Sequence, residues 1–187
     1  MITREQAWKL LTEKMQNQNL RRHCLSVEVV MRALAKHFEA DAEKWGIVGL
    51  LHDGDYEFTK TDPANHAKLM ANWVRELGET DTELLEGIES HGWFHQGKLA
   101  QTQMQWALFC CDELTGLIVA SALVLPSKRL SDLSVLSVLK KFPQKSFAAG
   151  VKREDIAQCE EHLGIKLTDF VQIALTAMQP IASEIGL

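Results

Sequence analysis

Six histidine and aspartate side chains occur where the helical pattern of this sequence calls for apolar ones. His23 lies four positions before Val27, and His52 lies four positions after Val48, so each continues the buried stripe of its helix. A lone histidine of this kind is typical of a core residue hydrogen-bonded to a carbonyl. Six such groups, predicted to project from five helices toward the interior, instead favour bound cations, because imidazole nitrogen and carboxylate oxygen both bind Mn, Fe, Co, Ni or Zn. The predicted metal ligands are His23, His52, Asp53, His66, His91 and Asp112.

The adjacent pair His52-Asp53 has a geometry of its own. Successive residues of a helix differ by about 100° in direction, so both side chains can reach one centre only near a helix end. Gly54 is expected to provide that end by letting the chain turn. The carboxylate of Asp53 could then bridge two metal ions, with His52 on one side.

The elements that must position these residues are helices almost throughout, and no convincing alternating strand occurs. The predicted helices cover about 4–17 and 20–38, a third after Asp41, a fourth from Asp62-Pro63 to Gly78, then about 82–91, 101–124, 131–141, 153–162 and 168–184. Pro180 is expected to kink the last of them. The sequence thus predicts an all-α single domain over 1–187, with a core at about 20–125 and a helical C-terminal extension at about 126–187.

Composition excludes several classes of protein. The chain has 187 residues, of which 46% are apolar and 24% charged, and its formal net charge is -5. That balance is typical of a globular domain and lacks the basic footprint of a general nucleic-acid binder. The longest nearly apolar run, 117–125, is far shorter than the roughly 20 residues of a membrane span, and the N-terminus has no signal-peptide pattern. The four cysteines follow neither a zinc nor a disulfide pattern, which favours a reducing cytoplasm.

The histidine and aspartate pattern resembles the signature of the HD-domain superfamily of metal-dependent hydrolases, H…HD…D on a helical bundle. In this sequence the signature is His23, His52-Asp53 and Asp112, and the resemblance covers about 20–125. The chain is also similar to a branch of predicted hydrolases that has three further motifs: HDxDYE at 52–57, DELTG at 112–116 and SVLKKFxxKSFAAGV at 137–151. The resemblance implies a helical bundle and metal-dependent hydrolysis.

The two histidines between the doublet and the last aspartate bear on the number of metals. Superfamily members with one metal use only the signature residues, whereas members with two have further histidines where His66 and His91 stand. The resemblance therefore implies one or two divalent transition metals, the first held by His23, His52, Asp53 and Asp112 and the second by Asp53, His66 and His91. The adjacent histidine pair and GYP motif of the HD-GYP branch do not occur, so cyclic-di-GMP cleavage is not expected.

The favoured chemistry is hydrolysis of a small phosphate ester or nucleotide by a metal-activated water. Two divalent cations carry more charge than two carboxylates neutralise, so we expect a small anionic, phosphorylated substrate. The predicted catalytic residues are Asp53 as the bridge, Asp55 as a proton shuttle or partner of a ligand histidine, and Lys60 as a phosphate-binding cation. Further candidates are Lys140, Lys141 and Lys145 for the phosphate, Glu57 beside Asp55, and His95 as a general acid. Asp55 and Glu57 could equally cap a loop.

Two alternatives to a hydrolase remain open. Some superfamily members with the same ligand pattern hold two irons and use dioxygen, so a di-iron oxygenase shares every predicted ligand. The other alternative is a non-catalytic module that is stabilised by metal and binds a ligand without turning it over. The coordination of the metal distinguishes this non-catalytic module from either enzyme, because a structural metal site is closed whereas a catalytic site keeps a position open.

Overall fold

The computed structural model describes all 187 residues, which form helices and turns but no strand. The α-helices are α1 (Arg4–Lys14), α2 (Gln18–His37), α3 (Ala42–Leu51), α4 (Tyr56–Thr59), α5 (Lys68–Glu76), α6 (Thr82–Ser90), α7 (Gln103–Leu123), α8 (Val135–Lys141), α9 (Arg153–Leu163), α10 (Leu167–Met178) and α11 (Ala182–Ile185). Short 3₁₀ turns lie at Pro63–Asn65, Trp93–Gln96, Leu130–Asp132 and Gln179–Ile181. The predicted all-α fold is confirmed.

Three capped helices form the part of the core that carries the candidate site. The side chains of Asn17 and Asp41 each accept two backbone N–H groups, in the first turns of α2 and α3 respectively. α7 begins with a capping box, in which Thr102 and Gln105 exchange side-chain and backbone hydrogen bonds. α3 and α7 both pack against α2, and His23 of α2 lies within 3.2 Å of both His52 at the end of α3 and Asp112 in the middle of α7.

α7 is long and apolar enough to cross a membrane by length and composition alone. More than half of its apolar window is buried inside the protein, as is usual for the central helix of a globular core.

The C-terminal helices pack back onto the same core. α9 lies along α7, where the rings of Trp106 and His162 stack with their centroids 3.5 Å apart and their planes 3° from parallel. α10 packs against α2. Leu11 near one end of the chain and Phe170 near the other are both fully buried in one continuous apolar core.

The helix boundaries differ from the predicted ones mainly where the chain breaks a helix in two. The predicted fourth helix is interrupted after Asn65, and α5 begins only at Lys68, because Ala67 adopts a left-handed backbone with φ 64°. The predicted last helix ends at Met178, and Pro180 lies in a separate 3₁₀ turn. α4 is a single turn that lies between the predicted third and fourth helices.

Candidate metal centre

The six predicted ligands come from five segments of the chain that meet between α2, α3 and α7. Only His23, on α2, and Asp112, on α7, lie inside helices. His52 caps the end of α3, His91 caps the end of α6, and His66 follows a 3₁₀ turn. The prediction that all six project from helices is therefore wrong for His66, which lies between the 3₁₀ turn and α5, whereas His52 and His91 lie at helix ends as expected. Where a helix ends, the backbone leaves the regular repeat, and this lets side chains from different segments turn into one space.

The His52-Asp53 doublet ends α3 as predicted, but Gly54 contributes in another way than expected. Its backbone does not adopt a positive φ. Instead, a Cβ atom at this position would lie 2.8 Å from the sulfur of Met70 and 3.3 Å from Leu11. Gly54 therefore packs closely against the end of the Met70 side chain, and a side chain at this position would require Met70 to move.

A second glycine fits the His91 turn against the His66 segment. A Cβ atom at Gly92 would lie 2.1 Å from the carbonyl oxygen of His66, which is a backbone atom and cannot move aside alone. The missing side chain thus allows the two histidine segments to pack in direct contact.

The first group of ligand atoms lies between α2, the end of α3 and α7. Nε2 of His23 lies 3.2 Å from Nε2 of His52 and 2.8 Å from Oδ1 of Asp112. Nε2 of His52 is 3.5 Å from the same oxygen. His23, His52 and Asp53 also offer one atom each within 4.8 Å of one another. These four residues are the ones that the family resemblance assigns to the first ion.

The second group shares Asp53 with the first. Oδ1 of Asp53 lies 3.2 Å from Nε2 of His66 and 3.7 Å from Nε2 of His91. The other ring nitrogen of His91, Nδ1, lies 3.7 Å from Oδ2 of Asp112. Asp53 thus belongs to both groups of ligand atoms, and His91 lies between the two aspartates.

Hydrogen bonds outside the cluster orient three of the imidazoles. Nδ1 of His52 donates to the carbonyl oxygen of Gly49 at 2.7 Å, and Nδ1 of His66 donates to Oδ1 of Asp55 at 2.8 Å. In His23, Nδ1 lies 3.4 Å from the hydroxyl oxygen of Thr115. With Nδ1 used in this way, each ring turns Nε2 toward the cluster, which is the usual arrangement of metal-binding histidines.

The residues present fit a divalent metal. A Zn²⁺ ion bonds imidazole nitrogen at about 2.0–2.1 Å, so two ligands of one ion lie about 3.0–3.4 Å apart. Nε2 of His23 and Nε2 of His52 are 3.2 Å apart, as are Nε2 of His66 and Oδ1 of Asp53. Unprotonated nitrogens and carboxylate oxygens are all acceptors, so only a proton or a cation between them makes the contact favourable.

The histidines and aspartates of the cluster shift one another's pKa values. Burial opposes the charged form of Asp53, but hydrogen bonds from His66 and His91 outweigh it and hold the pKa of this carboxyl well below its usual range. Burial likewise opposes charge on His66, yet its hydrogen bonds to Asp53 and Asp55 raise its pKa to about 9. In the metal-free protein a proton on Nε2 of His66 therefore lies in the 3.2 Å contact with Asp53.

The cluster forms one wall of an open cavity of about 260 Å³. Five of the six predicted ligands line it, whereas His52 lies behind them and is fully buried. The rest of the wall combines aromatic and polar side chains: Tyr56, Ser90, Phe94, His95, Gln105, Leu108, Phe109, Glu113, Lys152 and Asp155. Small molecules from solvent therefore have access to the ligand atoms.

Of the other predicted catalytic residues, Asp55 lies beneath the cluster and Lys60 lies away from it. Asp55 is fully buried and accepts hydrogen bonds from the ring of His66 and from the backbone N–H groups of Ala67 and Met70 at 2.8, 3.1 and 2.9 Å. It supports His66 and does not reach the cavity. Lys60 is exposed, so the structure does not bring it to the cavity wall.

Among the remaining candidate residues, only His95 lines the cavity. The carboxylate of Glu57 accepts the backbone N–H groups of Gln16 and Asn17 between α1 and α2, so it caps a loop. Lys140, Lys141 and Lys145 do not line the cavity. His95 does line it, and burial together with the nearby His66 lowers its pKa.

Sequence reasoning missed the residues that α9 brings to the cavity. Lys152 and Asp155 lie at the start of this helix, and Glu113 of α7 faces them across the wall. No periodic signal links Lys152 to the HD signature, because it lies far beyond Asp112 in the chain. Two motifs lie beside these residues in the sequence: DELTG contains Glu113, and SVLKKFxxKSFAAGV ends directly before Lys152.

Comparison with known proteins agrees with this arrangement. No curated protein and no solved structure matches the chain. The family model of the HD domain matches residues 20–136, which is more than half of the chain and includes all six ligand candidates. The chain therefore belongs to the HD domain family, a superfamily of metal-dependent hydrolases.

Proposed function

We propose that this protein is a metal-dependent phosphohydrolase that cleaves a small phosphate ester or nucleotide. One observation carries the proposal. Nε2 atoms of oriented histidines and the oxygens of two aspartates converge on the wall of an open cavity, with Asp53 common to two groups of ligands. A closed structural site would not expose its ligands in this way.

Three residues of the chain have different roles in the proposed hydrolysis. Divalent ions bound at the cluster would lower the pKa of a coordinated water and polarise a phosphoryl oxygen. Asp53 would contribute its carboxylate to both groups of ligands. Asp55, through its 2.8 Å hydrogen bond, keeps Nε2 of His66 facing Asp53. His95, on the wall of the cavity, lies where it could exchange a proton with a leaving group.

The cavity favours a small substrate with an apolar part beside its anionic group. Its volume of about 260 Å³ lies at or below the lower end of the range for drug-sized ligands. Tyr56 and Phe94 line the cavity and are 43% and 57% exposed, so aromatic surface is available there to an apolar group. A phosphate ester with a compact organic group matches this combination.

The test is the Asp53→Ala variant, assayed for phosphate release from a panel of phosphate esters with Mn²⁺ or Co²⁺. We expect at least a 1000-fold loss of turnover with unchanged helical circular dichroism, because the shared carboxylate is removed. Asp169→Ala, which removes an exposed carboxylate on α10, is the matched control and should retain wild-type activity. Turnover by Asp53→Ala at the wild-type rate would contradict the proposal.

A second assay of the wild-type protein distinguishes a hydrolase from a di-iron oxygenase. The assay is needed because the two enzymes would use the same metal ligands. Fe²⁺ is added without oxygen, the substrate panel follows, and oxygen uptake is recorded on admission of air. Phosphate release with Mn²⁺ or Co²⁺ and no substrate-dependent oxygen uptake is the expected result. Oxygen uptake without phosphate release would replace the hydrolase with the oxygenase.

A further inference from the structure

Lys152 is the one lysine or arginine on the wall of the cavity. It precedes α9, and its backbone N–H donates to Oε2 of Glu113 at 3.1 Å, which ties it to the residue beside Asp112. Its ammonium nitrogen lies 4.7 Å from the centre of the Phe94 ring at the mouth of the cavity. The backbone of Lys152 is thus fixed relative to the metal centre.

The ammonium group of Lys152 is left without a strong partner. It forms no ion pair and donates no hydrogen bond within the protein, although Glu113 and Asp155 line the same wall. It lies over the ring of Phe94. A cation–π contact at an exposed site is weaker than a charge-assisted hydrogen bond, so an anion at the mouth would displace Phe94 as its partner.

The segment before Lys152 is held in place by its neighbour Arg153. The guanidinium of Arg153 donates to the carbonyl oxygens of Phe142 at 3.3 Å, Ala148 at 2.6 Å and Val151 at 2.8 Å, and also to that of Phe147. Residues 142–152 contain no regular helix, so these bonds define the path of the segment. This stretch includes the end of the SVLKKFxxKSFAAGV motif, which stops directly before Lys152.

We propose that Lys152 is a substrate-binding residue that pairs with an anionic oxygen of the substrate at the mouth of the cavity. The inference deepens the proposed phosphohydrolase function and rests on it. A lysine ammonium is a compact charge with three donors, which suits a phosphoryl group presented in more than one orientation. Lys152 thus takes the role that the sequence suggested for Lys60, and it selects phosphorylated compounds over neutral analogues.

The test compares wild type with Lys152→Met, Lys152→Arg and the control Lys36→Met, an exposed lysine at the end of α2. All are loaded with Mn²⁺ and assayed with p-nitrophenyl phosphate, with inorganic phosphate as the competitive inhibitor. For Lys152→Met we expect KM and the inhibition constant of phosphate to rise about 5- to 20-fold. Metal content should be unchanged, and the kcat should change by less than about threefold. Lys152→Arg should retain most of the affinity because it keeps the charge.

The kinetic result for Lys152→Met tests the inference, and the activity of wild type tests the proposed function. KM and inhibition constant within about twofold of wild type in Lys152→Met would overturn the inference. If wild type cleaves no phosphate ester, the proposed function fails. Titration calorimetry of inorganic phosphate into the Mn²⁺-loaded proteins then still decides the role of Lys152. Weaker binding to Lys152→Met than to Lys36→Met supports phosphate recognition, and equal binding overturns it.

Discussion

Two groups of charged side chains lie along α2, and they use their hydrogen bonds differently. In the middle of the helix the buried carboxylate of Glu28 accepts from Arg4 at 2.8 and 3.0 Å and from Arg32 at 3.1 Å. Arg32 also forms an ion pair with the carboxylate of Glu43. Each charge in this network has an opposite charge beside it, and none of its members lines the cavity.

In the group around His23, nearer the start of α2, hydrogen-bond acceptors face one another without matching donors. Nε2 atoms face carboxylate oxygens of Asp53 and Asp112, and the contacts are favourable only with protons or cations between them. The comparison teaches that buried charge alone does not mark a functional site. A network whose donors and acceptors match stabilises the fold, whereas a cluster of acceptors on an open cavity is suited to bind cations.

The largest effect expected from this contrast is on stability. Glu28→Ala leaves two arginines without their shared acceptor and should lower the free energy of unfolding by about 3 kcal/mol. Urea denaturation measures the loss, and Glu161→Ala, on the exposed side of α9, is the control. Metal content should stay at the wild-type level. A variant that keeps its stability but loses metal would invert the roles assigned to the two groups.

The next effect is on metal affinity. Asp55→Asn disturbs the acceptor of His66 Nδ1 without touching the cavity, and should weaken metal binding about 10- to 100-fold. Competition with a chromophoric chelator gives the affinity, and Asp62→Asn, an exposed aspartate nearby, is the control. If both variants bind metal as wild type does, Asp55 does not orient His66.

The smallest effect is a pH dependence confined to the cluster in metal-free protein. The pKa of His66 is about 9 in the folded chain against about 6.5 when unfolded, so its contribution is complete below pH 6.5 and is lost as the pH rises through 9. Between pH 6 and 8.5 the free energy of unfolding should fall by about 1–2 kcal/mol more in wild type than in His66→Asn. The two arginines that pair with Glu28, Arg4 and Arg32, keep their charges over this range because their pKa values are raised. Parallel pH profiles for the two proteins would contradict the assignment.

Much of the site could be predicted because its information is local. The doublet His52-Asp53 combines two ligand types with a glycine, and its place at the end of α3 followed from helix geometry. His23 and Asp112 interrupt apolar stripes, a signal that periodicity makes visible.

The parts that escaped prediction depend on contacts between distant segments. The break before α5 arises because Asp55 binds the backbone N–H groups of Ala67 and Met70 and so supports the left-handed residue, which no local pattern announces. Lys152 reaches the cavity only because α9 packs along α7. Lys60 looked better placed in the sequence, since it follows the doublet closely, yet its side chain is exposed away from the cavity.

The most direct test of the metal centre is the metal content of protein purified without chelator. Elemental analysis of wild type, Asp53→Ala and Glu28→Gln after exhaustive dialysis gives the number of ions per chain. We expect one to two equivalents of a divalent transition metal in wild type and in Glu28→Gln, and less than about a fifth of that in Asp53→Ala. Wild type without stoichiometric metal, both as purified and after incubation with Mn²⁺, Fe²⁺, Co²⁺, Ni²⁺ or Zn²⁺, would contradict the account.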